Sequence, residues 1–368
     1  MTCRLASAYR ITEMNLVFRK AIALFLVALM SFSLAACADG GTSSNRKQKQ
    51  NTETITVTDM LGRKVDVPKD TKSTTVASTY GVVVPFLVTL QVGDRAKAVN
   101  FKNKKFYRLV DDPIVNVGTI GNRMAMDSEA LAKADPDVYI CRTTDKADID
   151  LCARLGIPSI AITAEVPEEV FEAYELLGKV LGCEERAEEV TGYLKNELKD
   201  IDTLAATIPE EDKVTALCMG SLLSRVASED MLQTMLLKRV GAKTVVDGIR
   251  GDQDRYWADC GVEKIFELDP DYIFVTSSAA LNYSMDDFYK DSAWAAMTAV
   301  KNKHIYKMPA KLDSWDMPGP GFILAMYYMM HQMYPDVCTT EMLQNEVDDY
   351  YEFFFGRTFT GDEIGYEF

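Results

Sequence analysis

The chain has 368 residues, a formal net charge of −15, and 48% hydrophobic against 26% charged residues. That balance suits a globular body and argues against nucleic-acid or anionic-membrane binding by its folded part, because an acidic surface repels both. Two histidines, and eight cysteines with no C-x-x-C pair among them, leave no framework for a multi-histidine, zinc or iron–sulfur centre.

The chain opens with a targeting segment. In "NLVFRKAIALFLVALMSFSLAAC" two cations, Arg19 and Lys20, precede an apolar run from Ala21 to Ala36 and then Cys37. A positive flank, a short apolar core and small residues at the cut are the build of a secretory signal, expected over residues 1–36, with Met14 a second candidate start. Leu34-Ala35-Ala36-Cys37 resembles the lipobox of bacterial lipoproteins, in which the cysteine is lipidated and becomes the new N-terminus. Residues 37–53 bury almost nothing and read as a flexible tether holding the body to a membrane face.

Roughly 315 residues follow, enough for two lobes. "ITVTDMLGRKVDVP" alternates polar and apolar residues around a turn and predicts a hairpin. Short apolar strands then alternate with helical patterns, the rhythm of a parallel sheet covered by helices, and residues 54–183 read as the N-terminal lobe. A break at Gly182 precedes a helix over 184–207 whose apolar positions, Val190, Tyr193, Leu194, Leu198, Ile201 and Leu204, make one buried stripe. The alternation resumes over 208–368, the C-terminal lobe, where the Met-rich and aromatic helices near the end read as core. The expected fold is therefore α/β: two Rossmann-like lobes with mostly parallel sheets, joined by a single long helix, with a cleft between them.

Each lobe carries the same phrase: "EALAKADPDVYI" from Glu129 and "EKIFELDPDYIF" from Glu263. Helix-dipole preference explains an acid in a first turn, and Asp-Pro explains a helix stop. Neither explains identical spacing in two lobes.

Together with "VGTIGNRMAMDSEALAKADPDVYI", "SAWAAMTAVKNKHIYKMP" and "SWDMPGPGFILAMYYMMHQMYP", these phrases resemble the substrate-binding proteins of bacterial ABC importers for iron chelates, haem and cobalamin. The resemblance implies a ligand held between the lobes, no catalysis and no intrinsic cofactor, and delivery to a permease driven by a cytoplasmic ATPase. It further implies that Glu129 and Glu263 face arginines of the permease, and that the protein acts as a monomer. Ligands of such sheets lie outside the carboxyl ends of the strands. This places Tyr80, Lys102, Arg123 and Arg142 from the first lobe, and Arg225, Tyr256, Trp257 and Trp315 from the second, at the expected site. Arg123 and Arg142 stand where cobalamin-binding members carry aromatics, which turns the expectation toward an anionic iron chelate gripped by guanidinium groups. Haem, with Tyr80, Met124 or His331 as iron ligand, and corrinoids stay open, as do a surface sensor without an importer and a chelatase-like enzyme.

Overall fold

The computed structural model describes residues 53–100, 104–122, 125–251, 257–277 and 281–366. The opening phrase forms its hairpin: β1 (Thr54–Thr58) pairs antiparallel with β2 (Lys64–Pro68). Asp59 closes the turn, its Oδ1 accepting from the Leu61 and Arg63 amides. Its Oδ2 accepts from the Arg63 guanidinium at 2.6 Å and the Ala161 amide at 3.1 Å, so one buried carboxylate both shapes the hairpin and pins it to the first lobe.

That lobe contains β3 (Val76–Ser78), α1 (Val83–Thr89), β4 (Ala96–Val99), α2 (Lys104–Leu109), the short hairpin of β5 (Gly121–Asn122) and β6 (Ala125–Met126), and α3 (Ser128–Ala134). It continues with β7 (Val138–Arg142), α4 (Lys146–Leu155), β8 (Ser159–Ile162) and α5 (Pro167–Leu181). The main sheet runs β4-β3-β7-β8, every pair parallel. Helices cover both faces, which is why the first four residues of β7 read as an apolar run and all five of its residues, Arg142 included, are buried.

Gly182 ends α5 at φ +60, a conformation other residues adopt at a cost, and α6 (Glu184–Ala205) starts two residues later. At 1.5 Å per residue, its 22 residues span about 33 Å. Val190, Leu194, Leu198 and Ile201 are buried along it, while Tyr193 and Leu204 pack on the same core half-buried.

The second lobe follows with β9 (Thr215–Met219), β10 (Arg225–Ala227), α7 (Leu232–Arg239), β11 (Lys243–Thr244), β12 (Trp257–Asp259), α8 (Val262–Leu268), β13 (Tyr272–Val275) and β14 (Ile305–Lys307). Its sheet order is β12-β10-β9-β13-β14, with β11 parallel to the start of β9 and only β10 and its two neighbours antiparallel. The expected architecture of two α/β lobes joined by one long helix is the one observed. Two long helices follow, α9 (Phe322–Met333) and α10 (Thr340–Phe355), with one more short helix at Gly361–Ile364; ten of the twelve α9 residues are buried, as a core helix requires.

The end of α10 reaches back to the first lobe. Phe106 of α2 lies within ring contact of Tyr351 at 6.1 Å, Phe355 at 5.0 Å and Phe359 at 6.0 Å. Arg186 of α6 donates to the Thr89 carbonyl at 3.0 Å and lies 4.8 Å from the Phe353 ring centroid. Across the back of the lobes, Arg239 of α7 bridges Asp202 of α6 at 2.8 Å and Glu168 of α5 at 3.1 Å.

The duplicated Asp-Pro-Asp has a structural explanation in both lobes. Its first aspartate, Asp135 or Asp269, ends its helix in the left-handed region at φ +44 or +34. The proline prevents continuation. The second aspartate clasps a threonine at the entrance of the neighbouring central strand. Asp137 Oδ2 accepts from the Thr75 amide at 2.9 Å and hydroxyl at 2.7 Å, and Asp271 Oδ2 accepts from the same groups of Thr215 at 2.8 and 2.7 Å. Asp271→Ala should lower unfolding free energy by about 1–3 kcal/mol in urea titration, the cost of losing a charge-assisted clasp. Thr215→Val on that background should add almost nothing if the two act as one unit.

Candidate ligand cleft

Segments of the two lobes meet at a cavity lined by Gly81, Val82 and Pro85 after β3 and by residues of the stretch 313–321 after β14. After β3 the chain turns through Thr79 and Tyr80, and this turn is held rigidly. Thr79 Oγ1 lies 2.8 Å from the Tyr139 hydroxyl, which donates to Asp148 at 2.7 Å, and Asn100 Nδ2 donates to the Thr79 carbonyl at 3.0 Å. Arg142, the last residue of β7, lies 5.6 Å above the Tyr80 ring centroid and is ion-paired with Glu165, which follows β8. Both partners are buried, with side chains 10% and 5% exposed. The guanidinium charge predicted to meet a ligand is therefore already matched within the lobe.

In the second lobe, β9 ends at Met219 and Gly220 follows. A Cβ at Gly220 would come within 2.8 Å of Trp257 Cε3 and 3.1 Å of Arg225 Cγ, so only glycine lets the indole and the arginine close over the strand end. Arg225 Nε is buried without an acceptor among the described residues, a donor that a ligand oxygen or water would complete.

The floor of the gap comes from the segment between β14 and α9. Asp316 is fully buried; its carboxylate accepts from the Thr276 hydroxyl at 2.7 Å and the Ser277 amide at 3.0 Å, and its carbonyl from Gln233 at 2.6 Å. Burial raises its pKa, opposed by those donors. This anchoring pulls the neighbouring indole inward. Trp315, expected to offer a stacking face, is 1% exposed and donates Nε1–H to Tyr351 at 3.1 Å, so neither ring face is open. Just before it, Asp313 lines a cavity of about 20 Å³ between the lobes, room for a water molecule or two, together with Gly81, Pro85, Tyr107, Met317 and Pro320. Burial pushes its carboxyl up to about 6, opposed only by the Ser314 amide.

The family model for periplasmic binding proteins matches residues 76–312, from β3 through β14 and hence both sheets. The chain belongs to the periplasmic binding protein family. It is a substrate-binding protein of the ABC-transporter class and not an enzyme. Among curated relatives, the ABC transporter substrate-binding lipoprotein YvrC of Bacillus subtilis is 24% identical over 85% of this chain and 96% of its own length. The iron(3+)-hydroxamate-binding protein FhuD of the same organism is 23% identical over 80% and 92%. The molybdate-bound MolA of Haemophilus influenzae shares the fold, with a TM-score of 0.71 at 19% identity over 83% of this chain and 99% of that one.

In this binding protein Tyr80 and Arg142 lie together in the first lobe, and Arg225 and Trp257 lie together beside Gly220 in the second. Cys37, Lys102, Arg123, Met124 and Tyr256 lie outside the described residues. His331, a candidate haem ligand, sits in α9 with Nδ1 2.8 Å from the Cys338 carbonyl, so it is tied into the helical core. Glu129 and Glu263 are exposed in the first turns of α3 and α8, with no ion pair to any described residue. Sequence reasoning missed Glu165 and Asp313. Glu165 had a usable signal: an acid three residues past the end of β8, in a lobe whose neighbouring strand ends in arginine.

Proposed function

We propose that this protein is an extracytoplasmic, lipid-anchored solute-binding protein that captures an iron chelate of the siderophore type, or a related tetrapyrrole, and hands it to an ABC importer. The observation that carries this reading is the two-lobe binding-protein fold with an orphaned guanidinium donor, Arg225 Nε, beside the Trp257 ring at the strand ends. Guanidinium and indole together suit a planar or oxygen-rich chelate. The relative named for iron(3+)-hydroxamate binding supports that ligand class, and the relatives named as lipoproteins support lipidation at Cys37. Docking to the permease falls to Glu129 and Glu263, one exposed carboxylate per lobe at matching positions, which suits orientation and reversible association. The double charge reversal Glu129→Lys/Glu263→Lys should reduce uptake about tenfold or more while ligand affinity in solution stays unchanged. Unchanged uptake would remove these residues from the docking face.

A further inference from the structure

Asp313 is a carboxylate lining the inter-lobe cavity with no cation beside it among the described residues. Among the described residues its one hydrogen bond comes from the Ser314 amide at 2.9 Å, and no arginine or lysine pairs with it. Apart from Ser314, the side chains lining the cavity around it are apolar or aromatic: Val82, Pro85, Met317, Pro320 and the ring of Tyr107. Carboxylates that serve structure in this protein look different. Asp59, Asp137, Asp271 and Asp316 each accept two or more hydrogen bonds from neighbouring segments. Asp313 holds no distant segment in place, and it lines a cavity to which both lobes contribute.

A lone carboxylate in apolar surroundings beside an aromatic ring is the chemistry that recognises an ammonium group, through one charge-assisted hydrogen bond and a cation–π contact. A bare metal ion fits poorly, because no group of three or more metal-binding side chains exists among the described residues. We infer that Asp313 is a specificity-determining residue, and that the transported chelate carries a protonated amine which Asp313 receives. This rests on the chelate-capture reading. The cleft is then two-ended: chelate oxygens meet Arg225, and the ammonium enters the cavity at Asp313.

The ionisation of Asp313 makes the contact pH-dependent: the other titratable groups facing it, the phenols of Tyr107, Tyr174, Tyr350 and Tyr351, are all pushed up by burial and stay neutral. Its carboxyl is pushed up to about 6 by burial, so above that pH it is the ammonium's counter-charge, and as pH falls through 6 it becomes neutral and selectivity fades.

The test compares two probes differing only in that charge, ferrioxamine B with its free ammonium and its N-acetylated, neutral derivative, alongside anionic ferric citrate. Binding is read by tryptophan fluorescence on the native protein. At pH 7.5 the ammonium probe should bind about 10- to 100-fold tighter than the acetylated one, the range for one hydrogen bond to a charged group. The ratio should shrink toward one at pH 5 and in Asp313→Asn. Equal binding of the two probes by the native protein, or a preference for citrate alone, overturns the inference and leaves chelate capture standing. Failure of all three probes to bind overturns both.

Discussion

Glu165→Ala is expected to destabilise the protein by about 3–5 kcal/mol in guanidinium denaturation, because it removes the carboxylate facing a guanidinium that is itself buried. The magnitude follows from the asymmetry of buried ion pairs. Forming one gains little over apolar packing, since both ions lose their water, but deleting one partner leaves the other's desolvation uncompensated. The double replacement Arg142→Met/Glu165→Leu should therefore recover most of the loss. Arg142 also lies over Tyr80, so the single variant should loosen the turn after β3 and weaken ligand binding through that route. A loss below about 1 kcal/mol would mean the guanidinium reaches water once its partner is gone.

Phe106→Ala should cost a similar amount, about 3–5 kcal/mol, the range for truncating a buried aromatic that cannot be refilled. Phe106 is 1% exposed and is surrounded by rings from two lobes, Tyr107 beside it and Tyr351, Phe355 and Phe359 from the C-terminal end. The distinguishing readout is local. Hydrogen exchange should rise over residues 351–359 more than in β9 or β13, because the end of α10 loses its anchor on the first lobe. A uniform rise across the second lobe would mean the aromatic cluster is not what fastens the C-terminus.

What was legible in the sequence was what short-range rules govern. The β1–β2 hairpin, the break at Gly182, the stripe on α6 and the two helix–turn–strand corners each depend on residues within a few positions of one another. The corners show where such reading stops. Asp135 and Asp269 could be foreseen as helix stops, whereas the clasps from Asp137 to Thr75 and from Asp271 to Thr215 join residues about 60 positions apart and needed the sheet order. The cleft was harder for the same reason. Arg142 looked free because Glu165 arrives from the end of a different strand, and Trp315 looked like a loop aromatic because nothing nearby announces that Asp316 draws the loop inward. Asp313 carries no signal in the sequence, because a carboxylate with no cation beside it among the described residues is recognised only from its surroundings in the fold.

The aromatic contact between α2 and the C-terminal stretch over residues 351–359 bears on how the protein reaches its fold. Phe106 and Phe359 are about 250 residues apart in the chain, so the first lobe cannot complete its packing until nearly the last residue has left the ribosome. The first sheet can assemble early from local β-α-β units, but the face of α2 that receives the C-terminus stays uncovered during that interval. A nascent chain in this state exposes the patch a chaperone would hold, and synthesis halted before residue 351 should yield a first lobe that is compact, sticky and readily digested near α2.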